Sequence, residues 1–162
     1  MRIKNALISI LLIIYLPIHS QIKIDDVGDG WKGKVESALV LIEKTDQRAY
    51  NDVIKYCNHI SFWNGNHSTT QYPSSIIIST KDIKINSVNN LACLIVHESQ
   101  HLKINAKSIS LTEEEEELYC YRYEYEFAKK IVDIEDWLIQ HIINNIIFFE
   151  NKVKNIIRYR FE

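Results

Sequence analysis

The chain has 162 residues, 46% apolar and 25% charged, with a formal net charge of −2. This describes one globular domain with a moderate core, and it excludes a disordered or fibrous chain and the strongly basic surface that nucleic acid selects. The cysteines Cys57, Cys93 and Cys120 are too few for a disulfide-dense scaffold, and an odd count leaves at least one thiol unpaired.

Residues 1–20 read as an export signal. Arg2 and Lys4 open it, Ala6 to Leu16 is an apolar run broken only by Ser9, and Pro17-Ile18-His19-Ser20 leads into Gln21. The run is short for a membrane-spanning helix. Cleavage after Ser20 is therefore expected, giving a secreted or periplasmic protein in which residues 21–162 form a single domain. Loss of Arg2 and Lys4 takes the net charge from −2 to −4.

Residues 21–30, with Asp25, Asp26, Gly28, Asp29 and Gly30, form a polar surface lead. Helical spacing begins at Trp31, where Val35, Leu39 and Ile42 share a stripe. A second helix starts behind Asp46 as N-cap and turns Ala49, Val53, Ile54 and Cys57 inward. From Asn58 to Ser75 the composition shifts to Asn, Ser, Thr, Gly and Trp, and Asn64-Gly65-Asn66-His67-Ser68-Thr69 is turn chemistry, so His59 and His67 are expected in loop. Ser75 to Thr80 is the clearest strand, a β-branched run that Ile83 and Ile85 continue or pair with.

Ser87 offers an N-cap for a helix over Val88 to Lys103. It contains His97-Glu98-Ser99-Gln100-His101 within the apolar set Leu91, Leu94, Ile95, Val96 and Leu102. At 100° per residue, His97 and His101 stand one turn apart on one face, where two imidazoles can share a metal ion. Glu98 lies beside them, placed to take a proton from water rather than to bind the metal. Lys103 to Leu111 reads as loop. Thr112 caps the next helix, whose opening run Glu113 to Glu117 also suits the positive end of the helix dipole without any metal chemistry.

A catalytic zinc site needs a third protein ligand and leaves its fourth position to water. Between His101 and Ile131 there is no Asp, and the metzincin extension fails because Ile104 and Lys107 stand where Gly and His are required. Cys120, Phe127, Ala128 and Ile131 mark the inward face of the second helix, and Glu117 and Glu124 fall on that stripe. Glu117 ranks first as the third ligand, with Glu113 and Glu116 behind it. Glu124 reads either as a carboxylate holding a histidine Nδ1–H from outside the metal or as a solvated or tyrosine-paired residue. The final segment, Ile134 to Ile157, is a long helix whose stripe Trp137, Leu138, Ile142, Ile146 and Phe149 packs onto the domain; His141 lies at the core boundary.

His97-Glu98-x-x-His101 on an apolar helix after an Ile-rich strand, followed by Glu117 and Cys120 on a second helix, resembles the gluzincin group of zinc metallopeptidases. The likeness spans residues 75–131 and is nearest to their minimal forms; Cys120 departs from the Ala, Ser or Asp usual near that place. It implies an α+β, mostly helical fold with a zincin-like core: a small sheet, the motif helix and a Glu-bearing helix. It also implies Zn2+ as cofactor, held by His97, His101 and Glu117, with Glu98 as general base and acid in peptide-bond hydrolysis. The Ile76–Ser79 strand would be an edge that aligns an extended peptide or protein substrate by main-chain pairing. An oxyanion-stabilising side chain would come from Tyr121, Tyr123, Tyr125 or His141. Two other readings stand beside this one: a secreted protein whose zinc is structural or whose degenerate peptidase site binds a partner, as an inhibitor or immunity-like protein, and a helical interaction domain without metal.

Overall fold

The computed structural model describes residues 22–161; the expected export signal lies outside the described residues. In chain order the elements are β1 (Lys23–Ile24), α1 (Trp31–Thr45), α2 (Gln47–Tyr56), β2 (His59–Trp63), β3 (Thr69–Gln71), β4 (Ser75–Ser79), α3 (Thr80–Ile85), α4 (Val88–Ala106), α5 (Glu113–Ala128) and α6 (Asp136–Phe161). The fold is mixed α+β, mainly helical, with one small four-stranded sheet. Among the described residues no helix is long and apolar enough to cross a membrane.

The sheet runs β1-β2-β4-β3. β1, β2 and β4 are parallel, and β3 pairs antiparallel with β4 through Thr69↔Ile77, Thr70↔Ile76 and Gln71↔Ser75. This corrects the expectation for the Ile76–Ser79 strand. Over Ser75–Ile77, β4 is bonded on both sides, so on that side of the sheet the edge belongs to β3; Ile78 and Ser79 pair with β2 alone. The turn-rich stretch 58–75 also holds β2, with His59 in it, rather than loop throughout. Ile83 and Ile85 do not extend the strand: Ser79 caps a short helix there by accepting from Lys81 N, burying Ile83 and leaving Ile85 outside.

α4 is the axis of the domain. Leu91, Ala92, Cys93, Ile95, Val96 and Leu102 are buried among Val35, Leu39 and Ile42 of α1, Val53 of α2, Ile76 and Ile78 of β4 and Phe127 of α5. The helix runs on to Ala106, and what looked like a polar loop start is a partly buried ion pair. Lys103 Nζ donates to Asp52 Oδ2 at 2.6 Å and to Gln100 Oε1 at 3.2 Å, while Tyr123 Oη donates to the same Asp52 oxygen at 2.8 Å. α2, α4 and α5 are thereby tied together on the side away from the histidines. On α6, Leu138 and Ile142 are buried as the stripe required, whereas Trp137 is largely exposed.

Thr112 and Glu115 form a capping box at the start of α5, each side chain meeting the other's backbone N–H. Thr112→Ala is expected to cost about 1 kcal/mol, read as a shift in the urea midpoint at unchanged slope; an unaltered midpoint would show that the cap contributes nothing. All three cysteines are free and buried. Burial pushes the Cys57 thiol up to about 11 and raises Cys93 and Cys120 further still. Native protein at pH 8 is expected to resist a thiol-specific reagent, and unfolded protein to take up three equivalents; rapid labelling of the native form would contradict this burial.

Candidate metal centre

α4 and α5 cross in opposite chain directions, so the later histidine meets the earlier glutamates. His97 and His101 turn their Nε2 atoms toward one another at 3.2 Å. Glu117 completes the triangle, with Oε2 3.5 Å from His97 Nε2 and Oε1 3.5 Å from His101 Nε2. The outer nitrogen of each ring has its own carboxylate: His97 Nδ1 lies 3.0 Å from Glu124 Oε2, and His101 Nδ1 lies 2.6 Å from Glu116 Oε1. A carboxylate beside each Nδ1 orients the ring and can accept its N–H, which leaves Nε2 as the atom that takes a proton or a metal ion. The two Nε2 atoms face each other, an arrangement that a proton or a metal ion between them satisfies.

The spacing fits a small ion. Donors about 2.0–2.1 Å from a tetrahedral centre stand about 3.3 Å apart, close to the 3.2 Å between the two Nε2 atoms; the Glu117 carboxylate flanks the same point with one oxygen 3.5 Å from each ring. Charge points the same way. Burial disfavours a charged His97, yet the Glu117 and Glu124 carboxylates outweigh it and push this imidazole up to about 10. Glu117 is held below the usual carboxylate range, its burial outweighed by His97 and His101. The pocket therefore favours positive charge, which either a proton or a metal ion can bring.

Cys120 introduces a second kind of donor. Among the described residues, the ligand atoms of His97, His101 and Cys120 lie within 4.8 Å of one another, and this group could hold a metal ion. Its thiol is fully buried, and burial together with Glu117 and Glu116 pushes its pKa far up. Without a metal, Cys120 keeps its proton where Glu117 has already lost its own.

Glu98 is buried beside this triangle, and burial raises its pKa against the pull of His97 and His101. It lines an open cleft of about 490 Å3 together with His101, Glu113 and Glu117. Ser68, Thr69 and Thr70, the residue before β3 and its first two, line it too. Tyr121 also lines the cleft, its ring edge-on to His97 at 4.4 Å and stacked on Phe149 of α6 at 5.7 Å.

Of the other aromatic candidates, Tyr123 is engaged by Asp52 and Tyr125 lies under the Lys129 ammonium. His141 bonds Asn145 and lines an adjoining pocket. Glu113 and Glu116 both line the cleft, and Glu116 also sits on a histidine nitrogen that helical phase alone did not assign to it. His59 bonds Asp25 away from the cleft, at 3.0 Å. No protein-family model, curated protein or solved structure matches the chain.

Proposed function

We propose that this protein is a zinc-dependent metallopeptidase of gluzincin type, with a zincin-like core and His97, His101 and Glu117 as the metal ligands. The observation that carries the reading is the triangle of His97 Nε2, His101 Nε2 and the Glu117 carboxylate, backed by a separate carboxylate on each Nδ1. Such outer partners fix the ring tautomer and raise ligand basicity. A structural zinc closed by four protein donors has no use for a further buried carboxylate, and Glu98 is one.

A bound zinc ion supplies Lewis acidity, acidifying a water and polarising a carbonyl. The chain's own groups do the rest. Glu98 accepts the proton of a water in the cleft and delivers it to the departing amine, a task suited to a carboxyl whose pKa burial has raised. Tyr121, whose hydroxyl burial and the neighbouring Glu124 and Glu117 keep protonated, is the donor available for a developing oxyanion. An extended peptide pairs with the free edge of β3, whose Thr69 and Thr70 line the cleft.

The test is to load the purified protein with one equivalent of zinc and follow cleavage of an unfolded protein. Turnover that a chelator abolishes and zinc restores is expected; a folded protein that binds no zinc would end this reading. Cys120 favours a second reading. If its thiol joins His97, His101 and Glu117, the site is closed and the protein is a secreted, zinc-containing or degenerate-peptidase binding protein. Zinc held without turnover, and lost in Cys120→Ser, would support that alternative.

A further inference from the structure

A second pocket of about 350 Å3 shares Ser68, His97, Glu98 and Tyr121 with the cleft. Leu94 and Leu138 give it apolar walls, and Trp137 stands at it with 55% of its surface exposed. Asp82, Asn86 and Asn90 make the polar end. Apart from imidazoles, none of the described residues lining it can carry positive charge.

Asp82 is held in place. Its Oδ2 accepts from Ser68 N at 3.1 Å and from Ser68 Oγ at 2.6 Å, so the carboxylate keeps Oδ1 for another donor. Ser68 directly precedes β3 and lines both spaces. A peptide main chain lying along β3 therefore passes beside the mouth of this pocket.

A side chain with a long apolar stem and a cationic end matches such a lining. The stem rests on Leu94 and Leu138, and the charge reaches Asp82 and the face of Trp137. An acidic side chain would instead meet the Asp82 carboxylate, which among the described residues has no cationic partner. We propose that this pocket receives a lysine or arginine side chain of the substrate, next to the bond that is cut, with Asp82 as the specificity-determining residue. The inference rests on the peptidase reading for its choice of substrate, but recognition of the basic side chain requires no turnover.

The experiment uses nonapeptides that differ only at a central Lys, Arg, norleucine or Glu. Their binding to metal-free protein is followed by tryptophan fluorescence, with Trp137→Phe identifying the reporting ring. Lys and Arg peptides are expected to bind about tenfold more tightly than norleucine, the gain of one charge-assisted contact, and Glu most weakly. Asp82→Asn should reduce Lys to the norleucine level, and Asn90→Asp, which adds a carboxylate without touching the Ser68 clamp, should widen the preference severalfold. Equal binding of Lys and norleucine to the wild type, or an undiminished Lys preference in folded Asp82→Asn, would overturn the proposal. With zinc present, cut sites should carry Lys or Arg at one fixed position. Absence of cutting with the binding preference intact would strike the peptidase reading alone, and cutting without side-chain preference would strike this inference alone.

Discussion

Glu98→Gln is expected to bind zinc as the wild type does and to lose hydrolysis by about 100- to 10,000-fold, the range associated with removing a general base. The substitution keeps the shape of a buried side chain and replaces a proton acceptor with an amide that has no useful basicity. His97, His101 and Glu117 approach one another without help from Glu98, so metal content should stay at one per chain. Stability should hold or rise, because burial already works against the charged form of Glu98, and an uncharged group is cheaper to bury. A protein more stable but inactive would mark Glu98 as a group retained for chemistry at some cost to the fold. Metal analysis, thermal unfolding and cleavage of an unfolded substrate measure the three quantities on one preparation. Hydrolysis at the wild-type rate would remove Glu98 from the mechanism, and loss of zinc would recast it as a ligand.

Much of the helical scaffold was legible in the chain because its determinants are local. Asp46, Ser87 and Thr112 each cap the helix that follows, and the stripes Val35–Leu39–Ile42 and Leu91–Ile95–Leu102 fall on buried faces. What escaped depends on partners distant in sequence. β2 and β3 are short and polar in part, and they become strands by bonding to β4. For the same reason the isoleucine run could be recognised as a strand but not as an interior one.

At the site, helical phase treated α5 as an isolated cylinder. That placed Glu117 and Glu124 on one stripe but turned Glu116 aside. In the folded chain α4 lies across the boundary between them, and the flexible arms of two successive glutamates reach opposite nitrogens of one imidazole, His101. The chain did contain a usable signal: two metal-ligating histidines each need an Nδ1 partner, and α5 offered more inward-reaching carboxylates than one metal ion requires.

Removing the metal is expected to make stability fall as pH rises above neutrality. In the metal-free protein His97 binds its proton more tightly when folded, its pKa rising from 6.5 to about 10. That contribution is complete below about pH 6.5 and is lost as pH climbs toward 10. The raised carboxyl of Glu98 adds a loss in the same direction. Zinc displaces the His97 proton, so loaded protein gains stability only while the unfolded imidazoles titrate at about pH 6.5, is spared the His97 loss above it, and each binding event releases protons. At free zinc about 1,000 times Kd the gain is about 4 kcal/mol. Thermal unfolding between pH 6 and 9, with chelator and with buffered zinc, should give curves that diverge as pH increases. Glu124→Gln and Glu116→Gln should each weaken zinc about 10- to 100-fold by releasing one ring, and Glu117→Gln should weaken it more than either because a ligand is lost. Cys120→Ser should leave zinc affinity almost unchanged. Curves that stay parallel, or a Cys120→Ser defect exceeding that of Glu117→Gln, would refute this donor set and transfer the third position to the thiol.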